Sequence, residues 1–194
     1  NGMYMFGDLW PGDYQVQFTT PAGDFEPTEA DNPSATAGSD SDADPNNNQT
    51  SETVTLVSRD TVPMLDGGFL RRAKIGDYVC EDVNGNGIQD MGEPGIDGLT
   101  VTLTGTDGQG NSVMLTTTTG PDGMYMFSDL LPGDYKVTVE GPADFVAAET
   151  DDPAGFGDDT NDNDGMSIAP GSNIVMTSLT NLISGEEEIG RAHV

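Results

Sequence analysis

Residues 123–135, Gly-Met-Tyr-Met-Phe-Ser-Asp-Leu-Leu-Pro-Gly-Asp-Tyr, occur twice in this chain and decide its fold. Residues 2–14 repeat them at an offset of 121 positions, and the two copies differ only at Gly7 and Trp10. Tyr125 and Phe127 stand two positions apart, the spacing of side chains on one face of a strand, and Pro-Gly is typical of a turn. A match of this length indicates a tandem repeat of one β-rich unit.

The offset also predicts the domain organisation. We interpret residues 1–72 as the C-terminal part of one β-sandwich repeat and residues 73–185 as a second, nearly complete repeat. Residues 186–194 fit no part of the unit and are interpreted as a tail or linker of unclear origin. The chain opens at Asn1, partway through a unit, so we expect a fragment or processed form of a longer array. Because the link at 67–74 lacks the long Ser, Gly or Pro tract of a flexible tether, adjacent units are expected to be held close together.

The sequence around the repeat predicts strands throughout. Residues 99–103 alternate apolar with polar side chains, residues 106–111 form a polar hairpin loop, and residues 113–119 return as a β-rich strand. Residues 174–176 predict a further strand, which we match with residues 54–57 of the first copy. No segment shows a sustained period of 3.6 residues, so we predict an all-β fold of tandem β-sandwich modules.

The charge excludes several classes of function. The chain carries 34 acidic and 6 basic residues, a net charge of −28. Such a charge repels phosphate backbones and anionic lipid, so neither nucleic-acid binding nor membrane insertion is expected, and no apolar run approaches the ~18 residues of a spanning helix. The single Cys80 cannot form an internal disulfide. The surplus carboxylates point instead to stabilisation by a counter-cation.

Residues 82–93 fit the twelve-residue calcium loop at every ligand position. Alternate side-chain oxygens stand at positions 1, 3 and 5, a glycine at position 6, and a glutamate at position 12 can bind through both oxygens. A hard cation with six to eight oxygen ligands suits this set, and zinc or copper does not. Flanking helices are absent, so the loop is embedded in β-structure. The predicted ligands are Asp82, Asn84, Asn86, the carbonyl of Ile88, Asp90 and Glu93.

A second acidic cluster occurs late in each unit. Both clusters carry three acidic or amide side chains at alternate positions, which would repel one another unless a cation joined them. No glutamate closes a twelve-residue count there, so a solvated acidic loop remains the alternative. The candidate ligands are Asp40, Asp42 and Asp44 in the first copy and Asp159, Asn161 and Asn163 in the second.

Catalysis finds little support in the sequence. The only histidine, His193, lies in the tail, and Cys80 stands on a predicted strand without a neighbouring base, as a small buried residue does. Met124 and Met126 are predicted on the outer face of their strand, as are Met3 and Met5. Such methionines fit either a contact between units or chains, or a partly covered surface.

The sequence also resembles a known family. Residues 75–79, Ile-Gly-Asp-Tyr-Val, followed by the loop 82–93 and Pro94-Gly95, resemble the start of the B-type repeat of serine-aspartate-repeat microbial surface proteins. Residues 123–137 resemble the wider collagen-adhesin B-like and prealbumin-like group, and residues 65–69 resemble the end of such a unit. The resemblance implies tandem Ig-like or prealbumin-like sandwiches that bind calcium through the residues named above and form rod-like stalks on a cell surface.

The chain departs from that family in two places. Cys80 stands where the family commonly has Trp, and the sequence after Leu182 lacks the Leu-Asp-Gly-Gly pattern of a unit's end. Some collagen-adhesin B-like modules join a Lys covalently to an Asn or Asp. Lys74 lies near the first strand, but no partner motif accompanies it.

These observations lead to a prediction of function. We expect a structural, calcium-stabilised module of an extracellular surface protein or fibre, acting as a stalk or spacer or as a filament subunit. Its expected partners are neighbouring repeats of the same or another chain, including a homopolymer. The alternative is an adhesin-type module that recognises a glycan or a host protein through its loops. An enzyme is the least favoured class.

Overall fold

The computed structural model describes residues 2–30, 41–62, 65–85, 90–147, 165–167, 171–177, 179–189 and 192–193. The chain divides into two compact units, Asn1–Arg71 and Arg72–Val194. The described residues contain fourteen β-strands, no α-helix and one 3-10 turn at Pro45–Asn47. The predicted all-β class is therefore confirmed. None of the described segments is a helix long and apolar enough to cross a membrane.

The first unit contains four short strands joined as two antiparallel pairs. Strand β1 pairs with β3, and β2 pairs with β4. The bounds are β1 Gly12–Tyr14, β2 Phe25–Pro27, β3 Val54–Leu56 and β4 Phe69–Arg71.

The second unit is a sandwich of two sheets. The larger sheet has the strand order β10-β11-β9-β6-β7, and β12 also pairs with β9. In the smaller sheet, β8 pairs with β5 antiparallel, and β13 and β14 pair with β5 in parallel. The bounds are β5 Ala73–Cys80, β6 Thr100–Asp107, β7 Ser112–Thr118, β8 Met124–Leu130, β9 Gly133–Glu140, β10 Gly165–Ser167, β11 Ile174–Thr177, β12 Thr180–Leu182, β13 Glu187–Ile189 and β14 Ala192–His193.

The core of the second unit lies between these sheets. Alternate side chains of β6 and β9 point inward, and Tyr125 and Phe127 of β8 point inward from the opposite sheet, as the period of two requires. Met124 and Met126 are exposed on the outer face of β8, as predicted. The alternation in the sequence therefore correctly predicts which face of β8 is buried and which is exposed.

One match between the two copies was wrong. In the first unit Val54–Leu56 pairs with Gly12–Tyr14, whereas in the second unit the residues opposite Gly133–Tyr135 are Thr180–Leu182. Ile174–Thr177 is a strand, but it is not the counterpart of residues 54–57. Between these two paired strands the second unit has five more residues than the first, so the counterpart of Val54–Leu56 is Thr180–Leu182, at an offset of 126 positions and not 121.

Candidate metal centre

The loop 82–93 is closed at its base by backbone pairing. Strand β5 ends at Cys80, which forms an antiparallel bridge with Gly95, and the Glu81 N–H donates to the Pro94 carbonyl at 3.0 Å. Gly95 is required because a Cβ there would lie 2.2 Å from the carbonyl oxygen of Asp122. The sheet therefore holds both ends of the loop together.

The carboxylate of Glu93 connects the two ends of this loop. Its Oε1 accepts from the Val83 N–H at 3.1 Å, and its Oε2 accepts from the Asp90 N–H at 3.0 Å. The Tyr78 hydroxyl donates to the Glu93 carbonyl at 3.1 Å, which fixes the backbone of the same residue to β5. The Glu93 side chain thus joins residues near the beginning and the end of the loop.

The other described ligand candidates lie in the same loop. Asp82 Oδ1 accepts from the Gly85 N–H at 2.7 Å, and Asn84 Nδ2 donates to Asp90 Oδ2 at 2.6 Å. The structure therefore brings Asn84 and Asp90 together across the loop. Asn86 and Ile88 lie outside the described residues.

Negative charge at the base of the loop acts on its neighbours. Burial and, after it, the carboxylates of Glu93, Asp82 and Asp77 together raise the pKa of the Cys80 thiol to about 12. Burial also raises the pKa of the Tyr78 phenol, with Cys80, Asp122 and Glu93 acting in the same direction. Cys80 is fully buried, so the prediction that this residue is buried is confirmed.

The donor chemistry of the loop fits a hard cation. Asp82, Asp90 and Glu93 provide carboxylate oxygens, and Asn84 adds an amide oxygen, which are the ligands that calcium prefers. Each carboxylate oxygen has two lone pairs, so an oxygen that accepts one N–H can still bind an ion. Within the described ranges, no three His, Cys, Asp or Glu side chains are grouped closely enough to hold an ion. The proposed set depends also on amide and carbonyl oxygens.

Part of the late acidic cluster of the first unit is described. Asp42 and Asp44 alternate with Ser41 and Ala43, which are buried, so the two carboxylates share the outer side. Asp42 Oδ2 accepts from the Asp66 N–H at 2.8 Å, and Asp44 Oδ1 accepts from the Asn46 N–H at 2.8 Å. The remaining candidates lie outside the described residues: Asp40, Asp159, Asn161 and Asn163.

Asp66 is a candidate ligand that the sequence analysis missed. It pairs with Asp42 through the backbone as well, because the Asp42 N–H donates to the Asp66 carbonyl at 3.0 Å. Burial raises the pKa of the Tyr4 phenol, and both carboxylates raise it further, which places the two acids near one hydroxyl. In the sequence, Asp66 belongs to the Leu-Asp-Gly-Gly stretch at 65–68, which marks the end of a unit and does not indicate a ligand.

Lys74 forms an ion pair with Glu187 of the neighbouring strand β13. Both side chains are about half exposed, so the pair contributes little to stability. The sequence of the tail gave no reason to expect this contact.

Comparison with known proteins identifies relatives along nearly the whole chain. The family model described as the SdrD B-like domain matches residues 1–69 and 73–187. Serine-aspartate repeat-containing protein D of Staphylococcus aureus (strain Newman) is 40% identical over 147 residues, 75% of this chain and 10% of the relative. Serine-aspartate repeat-containing protein F of Staphylococcus epidermidis is 37% identical over 190 residues, 97% of this chain and 10% of the relative. The chain thus spans about a tenth of the length of these relatives.

Two solved structures show a weaker likeness. The major plantain pollen allergen Pla l 1 has a TM-score of 0.35 at 11% identity, covering 62% of this chain and 94% of the allergen. A streptococcal ancillary pilin has a TM-score of 0.34 at 12% identity, covering 96% of this chain and 43% of the pilin. Both TM-scores are below 0.5, so neither likeness assigns a fold to this chain.

Proposed function

Since this chain belongs to the family of SdrD B-like domains, repeat modules of extracellular surface proteins, we propose that it is a calcium-stabilised structural spacer. The module would hold neighbouring repeats at a fixed distance, as a rigid stalk or as a subunit of a fibre. Its partners would be neighbouring repeats of the same or another chain.

The observation that carries this proposal is the closed acidic loop at the end of β5. One carboxylate, that of Glu93, accepts hydrogen bonds from both Val83 and Asp90, and the backbone joins the base of the loop. Asp82, Asn84, Asp90 and Glu93 would hold a calcium ion together with Asn86 and the Ile88 carbonyl. The bound ion supplies positive charge among the carboxylates.

In a protein with a net charge of −28, such a charge is stabilising because it reduces the repulsion between acidic side chains. Extracellular calcium modules typically have dissociation constants of about 10⁻⁴ to 10⁻³ M. At a tenfold excess of free calcium, one site adds about 1.4 kcal/mol to the free energy of unfolding. Several such sites would be a substantial part of the stability of a small domain.

Calorimetric titration with calcium tests the proposal. We expect saturable binding by the full chain and loss of the site at 82–93 in the variant Glu93→Gln. The matched control is Glu81→Gln, which removes the same charge beside the loop from an exposed side chain outside the ligand set. Unchanged binding by Glu93→Gln would show that the loop does not hold the ion.

The adhesin-type alternative is favoured by one observation. An open cavity of about 440 Å³ lies beside the turns that end β6 and β12, and Asn181 donates to Asp134 at its wall at 2.7 Å. An exposed amide and carboxylate at such a cavity are suited to sugar hydroxyls. Binding of a glycan library by the parent chain, lost in Asp134→Asn together with Asn181→Ala, would support this alternative.

A further inference from the structure

The edge strand β7 differs from the other edges of the second unit. It spans seven residues, Ser112–Thr118, and among the described strands it pairs with β6 alone, in one unbroken register. Its sequence, Ser-Val-Met-Leu-Thr-Thr-Thr, contains no charge, proline or glycine and is rich in residues that favour strands. Natural proteins usually shorten, charge or distort an exposed edge, because its backbone groups can bind another strand.

The other edges of the two sheets have such protection. Strands β10 and β12, at the opposite edge of the larger sheet, are three residues long. In the smaller sheet, β13 has three residues and β14 two, on one side of β5. On its other side, β8 carries a charged residue, Asp129, in the left-handed conformation with φ of 60°. Within the described part of the second unit, β7 is therefore the long edge without a protective feature.

The backbone of β7 presents every second residue to the side away from β6. At one end, the Asn111 carbonyl accepts from the Asp107 N–H at 3.0 Å, and at the other, the Thr119 N–H donates to the Leu99 carbonyl at 3.0 Å. Both ends thus face β6, and in an antiparallel ladder alternate residues face the same neighbour, so the odd-numbered residues between them also bond to β6. The outward N–H and C=O groups, which we call the β7 edge, belong to Ser112, Met114, Thr116 and Thr118.

An apolar side chain at the middle of β7 is only partly covered. Leu115 lies opposite Leu103 of β6, so both side chains project to the inner face of the sheet. Leu103 is fully buried, whereas Leu115 is 41% exposed because β7 is the last strand of the described sheet. A further strand beside β7 would cover Leu115.

Two observations favour a second copy of this chain as the occupant. The chain has a net charge of −28, so two copies repel each other wherever acidic surfaces meet, and β7 offers them an uncharged contact. The strand is also self-complementary. In an antiparallel pairing centred on Leu115, Met114 lies opposite the second copy's Thr116, and Ser112 lies opposite its Thr118. Every outward residue then meets an outward residue, which gives about eight backbone hydrogen bonds.

We infer that the β7 edge binds the β7 edge of a second copy about a two-fold axis at Leu115, which joins two second units in one continuous sheet. The two Leu115 side chains would form a non-hydrogen-bonded pair at the axis, where side chains lie closest, and would cover each other. The contact is isologous, so it produces a closed dimer. This inference goes beyond the proposed function, and the β7 edge contains none of the proposed calcium ligands.

Sedimentation equilibrium on the full chain measures the association. One strand pair is smaller than the interface of a tight complex, so protein concentrations of about 10 µM to 1 mM are compared. We expect the mean mass to rise from that of a monomer towards that of a dimer over this range. Added salt should strengthen the dimer, because it screens the repulsion between the two acidic chains.

Amide hydrogen exchange, followed by NMR, locates the contact. In dilute protein the amides of Met114, Thr116 and Thr118 face solvent and should exchange fast. When about nine tenths of the protein is dimeric, their exchange should slow by about tenfold, because only the monomer then exchanges.

Two variants separate this contact from other kinds of association. Leu115→Asp places two carboxylates opposite each other at the axis and should abolish the dimer. The matched control, Leu179→Asp, adds the same charge at a leucine that is 62% exposed and lies outside β7, and it should keep the dimer. Thr116→Pro leaves the charge unchanged and removes one outward N–H, where an edge strand tolerates proline. It should weaken the dimer by about tenfold or more, because each copy loses a hydrogen bond.

Melting temperatures in dilute solution show whether each variant has folded. A monomeric mass of the parent chain at every concentration would overturn the inference. A dimer that persists in both Leu115→Asp and Thr116→Pro would also overturn it, since the copies would then meet at another face. Slow exchange at the β7 edge in a monomer would overturn it in favour of a segment of the same chain. Calcium binding is measured separately, so a failure of this inference and a failure of the proposed function are distinguishable.

Discussion

Replacing Glu93 by glutamine should remove most of the response of the second unit to calcium. The carboxylate accepts from Val83 at 3.1 Å and from Asp90 at 3.0 Å. Glutamine keeps one acceptor oxygen and places an amide donor where the other stood, so one of these hydrogen bonds is lost. For a half-buried side chain, we expect a cost of about 1 kcal/mol without calcium.

The larger effect appears when calcium is added. At a tenfold excess over the dissociation constant, the parent chain should gain about 1.4 kcal/mol per site. In a unit of this size, that corresponds to a rise of about 3–6 °C in the melting temperature. Glu93→Gln should rise by less than about 1 °C from this site, because a bidentate ligand and a negative charge are both missing.

Differential scanning calorimetry in calcium and in EDTA measures both quantities. The control Glu81→Gln has the same loss of charge and should keep the full calcium shift, since its side chain is exposed and outside the proposed ligand set. If Glu93→Gln and Glu81→Gln shift equally with calcium, Glu93 is not a ligand and the reasoning is refuted.

Three further predictions concern the sandwich itself. Leu103→Ala should lower the free energy of unfolding by about 2–5 kcal/mol because the side chain is fully buried, whereas Met114→Ala, 74% exposed, should change it little in urea titrations; equal effects would place the core elsewhere. Gly95→Ala should cost about 1–3 kcal/mol because its Cβ would meet the Asp122 carbonyl oxygen at 2.2 Å, and Gly120→Ala, with its nearest contact at 3.7 Å, should be tolerated; similar melting temperatures would contradict this. Burial, and to a lesser extent the Asp107 carboxylate, raises the pKa of the Tyr135 phenol above its usual 10. The neutral phenol therefore contributes constant stability below pH 10, and this contribution is lost as the pH rises through the folded-state pKa. Tyr135→Phe should reduce the loss of stability at alkaline pH in unfolding measured against pH, and an unchanged profile would argue against this.

The strands of the second unit could be predicted because their signal is local. Residues 99–103 alternate between apolar and polar side chains, and the structure has a strand at Thr100–Asp107 that buries Val101 and Leu103. Residues 2–9 show the limit of this signal. Residues 2–9 have almost the same sequence as β8 but form no strand among the described residues, since a strand needs a partner for its backbone.

The remaining differences arise from contacts that are distant in sequence. Asp66 lies 24 residues from Asp42, and no spacing rule connects them. The residues Glu187–Ile189 carry consecutive charges and no alternation, yet they add to the edge of β5 through backbone hydrogen bonds, which sequence patterns do not encode. For the candidate site, the order of the proposed ligands in 82–93 could be predicted because the motif is contiguous in sequence, whereas the closure of the loop's base by Cys80 and Gly95 could not.

The most direct test of the account is a crystal structure of the chain grown in millimolar calcium. We predict density for an ion bordered by Asp82 and Glu93, with six to eight oxygen atoms at about 2.3–2.6 Å. A well-ordered loop at 82–93 whose carboxylates surround only water would contradict the claim that calcium stabilises this module.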